Sequence, residues 1–245
     1  MTRILYITIW GLLFGVVGTT IGGALSFLIN KESKRLLSFV LEFSAGLMLS
    51  VVSFDLLPEA FKLGGVGLGC IGVVIGTAVV ILLDDIIKKL DIVQKSIQNK
   101  GVLKAGILMA AAIALHNFPE GVAVGSSFEA SMKLGLSIAI VIAVHDIPEG
   151  MAVALPLRLG GISPLKVLLL VFLSGVPTGV GALVGALLGE ISDKVIASCL
   201  GFAGGAMMYI VSSEVMPEAN KIYRGRVPAI GNLIGVLCGI LIVYI

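Results

Sequence analysis

Two short segments hold the residues best suited to chemistry: His116-Asn117-Phe118-Pro119-Glu120-Gly121 and His145-Asp146-Ile147-Pro148-Glu149-Gly150. Between them they contain the only two histidines of the chain. Positions four apart share one face of a helix, so His116 points with Glu120 and His145 with Glu149. Asn117 and Asp146 follow the histidines, about 100° further round, where a second ligand group can form. An imidazole beside a carboxylate suits a borderline divalent metal such as Zn²⁺. The carboxylates also offset the charge of the ion where water is scarce.

Pro119 and Pro148 cannot donate to the carbonyls of Leu115 and Val144, so a kink is expected at each. Freed carbonyls at membrane depth are tolerated where they face protein or a wet cavity. Gly121 and Gly150 would let a neighbouring backbone approach closely. A polar turn of this kind is costly in an apolar stretch, and such turns usually mark a function. A structural zipper tying two helices through His–Glu pairs is the plain alternative. Two copies, with Asp146 added, favour a metal or proton pathway. The aqueous HExxH protease pattern is not matched, because neither turn has a second histidine four residues on.

The elements that must position these turns are apolar. The chain of 245 residues is 58% hydrophobic and 13% charged, with mean hydropathy +1.11. Soluble domains carry about 25% charged residues, so the composition describes a membrane protein. About 20 apolar residues cross roughly 30 Å of hydrocarbon. Eight such spans are expected, at about 4–29, 36–61, 66–87, 101–126, 132–157, 163–188, 195–219 and 228–245. Little is left for loops, so residues 1–245 read as one transmembrane domain with a polar cytoplasmic loop at 88–100. The first apolar run has no small-residue cleavage motif and exceeds a signal core, and it is expected to remain as a span. Cys70, Cys199 and Cys238 fall inside spans and read as buried small apolar residues rather than as a disulfide or metal cluster.

Net charge is only +2, which gives nucleic acid no purchase. Cations collect on alternate loops: Lys31, Lys34, Arg35, then Lys88, Lys89, Lys95, Lys100, Lys104, then Arg158, Lys166, then Lys221, Arg224, Arg226. The opposite side has Arg3, Lys62, Lys133 and Lys194. The positive-inside rule then puts both termini outside the cytoplasm.

The chain also repeats itself. Residues 43–60 resemble 202–219: Gly46 matches Gly205, Met48 matches Met207, Ser53 matches Ser212, and Asp55 corresponds to Glu214. The two histidine turns form a second pair. Each pair joins an odd-numbered and an even-numbered span, which cross in opposite directions. Inverted-repeat transporters place their sites near mid-membrane at the interface of such repeats.

With these residues in view, the chain resembles the ZIP (Zrt/Irt-like) family of metal transporters, in its GufA-like prokaryotic branch. The resemblance implies an all-α integral membrane protein of eight transmembrane helices in a 3+2+3 inverted-repeat bundle. It implies transport of divalent transition metals toward the cytoplasm, Zn²⁺ and Fe²⁺ foremost. It makes His116, Glu120, His145 and Glu149 the ligands of one metal position, with Met48 as a soft fifth group. A second position would use Asn117 and Asp146, with Glu120 and Glu149 bridging. Relatives often add a carboxylate from span 6 in a segment like SGxxEP; here the stretch is SGVPTG, and Thr178 stands in place of the glutamate. Asp55 and Glu214 resemble the acids that guide metal into and out of the path, and Ser53, Ser212 and Met207 lie on the same repeat-related stretches.

The expected function is therefore metal import, with a proton-coupled exporter as the alternative and an intramembrane metalloenzyme as the remote one. No enzyme activity and no resident cofactor are expected. The bound substrate would be Zn²⁺, with Fe²⁺, Mn²⁺ and Cd²⁺ as other candidates. The expected partners are these ions and the lipid bilayer, with a homodimer left open. The expected location is the plasma (cytoplasmic) membrane, spanned many times.

Overall fold

The computed structural model describes residues 2–28, 34–89, 101–159 and 161–244, with side chains except at 2, 84, 87–89, 101–113, 115, 116, 156, 159 and 243. The polar loop expected at 88–100 lies outside the described residues from 90 onward.

Every regular element among the described residues is helical. A chain this apolar has no water at hand for its backbone groups, and a helix satisfies them within one segment. In chain order the helices are α1 (Thr2–Leu25), α2 (Lys34–Val51), α3 (Leu57–Lys89), α4 (Gly101–Ala130), α5 (Met132–Leu159), α6 (Pro164–Gly189), α7 (Asp193–Ile210), α8 (Met216–Ile222) and α9 (Arg226–Tyr244). Two π-helical turns, Val52–Leu56 and Val211–Val215, join α2 to α3 and α7 to α8. Local signals set the starts. Pro164 opens α6, where its missing N–H costs nothing. The Ser131 hydroxyl accepts from the Leu134 N–H at 3.1 Å in the first turn of α5.

Among the described residues, the stretches long and apolar enough to cross a membrane are Arg3–Leu25, Lys34–Leu83, Met132–Leu155, Pro164–Gly189 and Asp193–Ile222, with Arg226–Ile242 a shorter apolar helix. The second of these is 50 residues long but does not run straight. Gly65 has φ 78°, which glycine adopts without a Cβ penalty. Before it, Leu57 lies at Gly204 and Gly64 at Ala197; after it, Gly69 lies at Gly201 and the Thr77 hydroxyl donates to the Gly205 carbonyl. The chain therefore reverses at Gly65, where the sequence reading separates spans 2 and 3.

Large apolar side chains such as Leu28, Val74, Leu165 and Leu233 are exposed, the outer face a lipid-embedded bundle presents. All three cysteines are free. The expectation that all are buried fails for Cys70, which is exposed beside Ile71 on the outer face of α3.

Packing repeats at fixed offsets. A Cβ on Gly46 would strike the Asn232 carbonyl, and a Cβ on Gly205 would strike the Val73 carbonyl; both members shift by 159 positions. The same offset takes the first π-turn onto the second. Gly22 abuts the Ile147 carbonyl as Gly181 abuts that of Phe118, and Gly150 abuts the Thr19 carbonyl as Gly121 abuts that of Thr178. Here α1 and α6 are related by 159 positions and α4 and α5 by 29. Each close approach needs a residue without a side chain, the means by which helices pack tightly in lipid.

Candidate metal centre

The two histidine turns sit in the middle of α4 and α5, and both helices continue through Pro119 and Pro148. A single residue, Ser131, joins these helices. Gly121 and Gly150, one step past each glutamate, press onto the backbones of α6 and α1 and fix the depth of each turn.

Glu120, His145 and Glu149 each bring a ligand atom within 4.8 Å of the others. His145 Nε2 stands 3.0 Å from Glu120 Oε1 and 3.5 Å from Asp146 Oδ1. Asn117, Glu120, His145 and Asp146 have no exposed surface, and Glu149 has 3%. The Asn117 amide donates to the Ser174 carbonyl at 2.8 Å and so ties α4 to α6. The Ser44 hydroxyl of α2 donates to the His145 carbonyl at 3.2 Å.

Many polar atoms around these turns lack a hydrogen bond. Asn117 Oδ1, Glu120 Oε2, His145 Nδ1, both oxygens of Asp146, both of Glu149, and Thr178 Oγ1 are buried without a hydrogen bond. An unpaired buried polar group costs about 1–3 kcal/mol, and a charged one more. The Glu120, His145 and Glu149 group can hold a cation, which would satisfy two carboxylates together. An imidazole nitrogen with carboxylate oxygens fits Zn²⁺ and its neighbours.

The other expected site residues divide. The side chain of His116 lies outside the described residues; its backbone is one turn before Glu120 in α4. Met48 is fully buried, one turn beyond Ser44 on α2. Met207, its equivalent on α7, is also buried. Asp55 is half-buried in the first π-turn and accepts a hydrogen bond from the Ser137 hydroxyl at 3.4 Å, two turns before His145 on α5. Glu214, at the equivalent place in the second π-turn, lies near enough to Glu149 for their charges to interact. Ser53 and Ser212 are exposed, so the structure does not bring them into the cluster.

Sequence reasoning missed Ser44 and Ser174, whose contacts join α2 and α6 to the two turns. Ser44 had one legible signal, its spacing of four from Met48. It also missed Glu42, which is buried and accepts from Asn220 Nδ2 at 2.9 Å and Asn232 Nδ2 at 3.1 Å, joining α2, α8 and α9.

Residues 92–245 match the family described as ZIP Zinc transporter, a range that takes in every helix from α4 to α9. Over 112 residues the chain is 38% identical to the protein named Zinc transporter ZupT of Shigella dysenteriae serotype 1 (strain Sd197), a stretch that is 43% of this chain and 44% of that relative. The proteins of the same name from Escherichia coli (strain K12 / DH10B) and Escherichia coli O157:H7 (strain EC4115 / EHEC) align with the same identity and coverage. The aligned stretch thus spans less than half the length of these curated relatives.

Proposed function

We infer the function from one premise: the chain belongs to the ZIP zinc transporter family. That is a family of transporters rather than of enzymes. This chain is proposed to carry divalent transition-metal cations, Zn²⁺ first, with Fe²⁺, Mn²⁺ and Cd²⁺ as further substrates, across the plasma membrane toward the cytoplasm. The observation that carries the reading is the knot of buried, unpartnered oxygens and imidazole nitrogen between α4 and α5. The primary ligands are Glu120, His145 and Glu149, with His116 supplied from one turn before Glu120 and Met48 as the soft group. Asp55 and Glu214 lie on the two sides of this position along the path, a placement supported by the Ser137 contact of one and the closeness of the other to Glu149. The paired HNFPEG and HDIPEG turns argue for the GufA-like branch.

The architecture proposed for residues 1–245 is eight spans in a 3+2+3 inverted repeat. Spans 1–3 correspond to spans 6–8, and span 4 to span 5. The glycine contacts that recur at offsets of 159 and 29 support this, because chance similarity between apolar helices would not repeat specific contacts. A site between the repeated turns then sits near mid-membrane, where such transporters bind their substrates.

Uptake of ⁶⁵Zn²⁺ into proteoliposomes holding the purified chain tests the function. Metal should accumulate above protein-free vesicles, and the absence of flux with any divalent metal would sink the reading. Orientation has its own test. Cysteines introduced at Lys95 and Arg224 should react with an impermeant reagent only from the cytoplasmic side, and one at Lys133 only from outside. The reverse labelling would exchange uptake for efflux.

A further inference from the structure

The short helix α8, only 7 residues long, is joined at both ends by backbone that is not α-helical. The second π-turn, which carries Glu214, precedes it; beyond it Tyr223 is extended and Gly225 has φ 149°. Pro217 in its first turn has no N–H to bond back to that π-turn. Ala219 of α8 packs with Leu41 of α2 and with Ala152 of α5, one turn beyond Glu149. This helix therefore covers α5 beside the metal position. The offsets of 159 and 29 carry Leu41, Ala152 and Ala219 onto Leu200, Ala123 and Ala60, all of which belong to the main core. The counterpart of α8 is thus the start of α3, residues 57–63, seated in the same way in the other half of the chain.

The two segments are fastened differently. The apolar cluster under α8 is small and separate from the main core, and polar bonds add to it. The Ser38 hydroxyl donates to the Ala219 carbonyl at 2.7 Å, and Glu42 Oε1 accepts from Asn220 Nδ2 at 2.9 Å. Glu42 Oε2 accepts from Asn232 Nδ2 of α9 at 3.1 Å. Each amide is held as a donor by a second bond, Asn220 to the Met216 carbonyl at 2.8 Å and Asn232 to the Glu42 carbonyl at 3.4 Å. The cage therefore needs two acceptor oxygens at position 42, which a carboxylate offers and a glutamine does not. Such bonds let go at small net cost where water can replace them, and Asn220 is exposed. None of this recurs in the other half, where Ser38, Glu42, Asn220 and Asn232 correspond to Ala197, Gly201, Phe61 and Val73. Gly201 simply abuts the backbone of α3 at Gly69. In an inverted repeat, a fastening present in one half only distinguishes the two ends of the path.

We propose that α8 is a hinged lid on the metal path and that Glu42 is its latch, so that metal passes on this side when the Glu42 cage opens. The proposal rests on the transport reading, and its first test needs no flux. In a chain whose three cysteines are replaced by alanine, Ala152→Cys puts a thiol under the lid and Ala123→Cys puts one under its counterpart. Glu42→Gln turns a donor toward a donor. It should raise the rate at which a small thiol reagent modifies Ala152→Cys by about tenfold or more, and leave Ala123→Cys at its own parental rate. Adding Asn232→Asp to Glu42→Gln restores a complementary pair, the new amide donating to the new carboxylate, and should bring the rate back down. Ser38→Ala is a milder change that keeps the test open if Glu42→Gln does not fold, and it should raise the Ala152→Cys rate several-fold. A parental rate in either variant, an equal rise at both thiols, or no recovery on adding Asn232→Asp overturns the latch. A second test closes the lid. Ser38→Cys and Ala219→Cys, joined by a short bifunctional thiol reagent, should stop the ⁶⁵Zn²⁺ uptake that the unjoined pair supports in proteoliposomes. Undiminished uptake by the joined protein overturns the lid. No uptake by the parent chain would sink the transport reading instead, and the thiol modification rates would still judge the latch.

Discussion

Glu149→Ala should abolish metal uptake while leaving the metal-free protein at least as stable as the parent. Both carboxylate oxygens of Glu149 are buried without a hydrogen bond. In the absence of metal that carboxylate is a burden on the fold, and removing it relieves an unpaired group at the cost of a small void. Metal binding reverses the sign, because the lost charge is one the cation needs. Truncating one member of a buried charge pair costs about 2–5 kcal/mol, so metal affinity should fall on the order of a hundredfold or more. Glu120→Ala should lose uptake equally but behave differently without metal, since Glu120 Oε1 already meets His145 Nε2 at 3.0 Å. Thermal midpoints with and without Zn²⁺, read beside ⁶⁵Zn²⁺ uptake, separate the two effects. Near-normal uptake by both variants would remove these carboxylates from the ligand set. A large loss of stability in metal-free Glu149→Ala would remove the account of its orphaned oxygens.

Gly121→Val and Gly150→Val should each prevent the bundle from assembling normally. A Cβ at either position runs into a backbone carbonyl, that of Thr178 or of Thr19, and a backbone cannot rotate aside as a side chain does. The helices must separate, and overpacking of that kind costs about 3 kcal/mol or more. The separation also moves the neighbouring Glu120 and Glu149 out of register with His145. Gly67 offers the control, because a Cβ there meets nothing within 4 Å. The yield of monodisperse protein and its thermal midpoint should drop sharply for the first two variants and stay near the parent for Gly67→Val. Parental midpoints for Gly121→Val would mean that α4 and α6 pack less closely than described.

The repeats made much of this legible. Met48 aligned with Met207, and Asp55 with Glu214, predicted that two stretches 159 residues apart would behave alike, and both carry a π-turn at the same place. The histidine turns drew attention to α4 and α5 because polar residues within one turn of an apolar helix are costly, and the structure brings Glu120, His145 and Glu149 of those turns together. The partners of those turns were hidden. Nothing local to Asn117 tells that its amide meets the Ser174 carbonyl, 57 residues on. The cage of Asn220 and Asn232 around Glu42 spans 178 and 190 residues and follows from packing alone. Periodicity reports which face a residue occupies, and it is silent on which helix lies opposite. Cys70 shows the other limit, since an apolar span has an outer face as well as an inner one, and composition does not distinguish them.

The bond between Asn117 and Ser174 also sets an order of events at the ribosome. The groove that receives α5 is lined by α1, which has already been made when α5 emerges. The groove that receives α4 is lined by α6, which has not. At about 5–20 residues per second, the 57 residues that separate Asn117 from its acceptor take about 3–11 s to synthesise. Within that interval α5 (Met132–Leu159) is made first, and α6 (Pro164–Gly189) is still incomplete when the Ser174 acceptor appears. Two turns that are equivalent in the finished bundle therefore have unequal histories, α5 meeting an α1 already made and α4 waiting for α6.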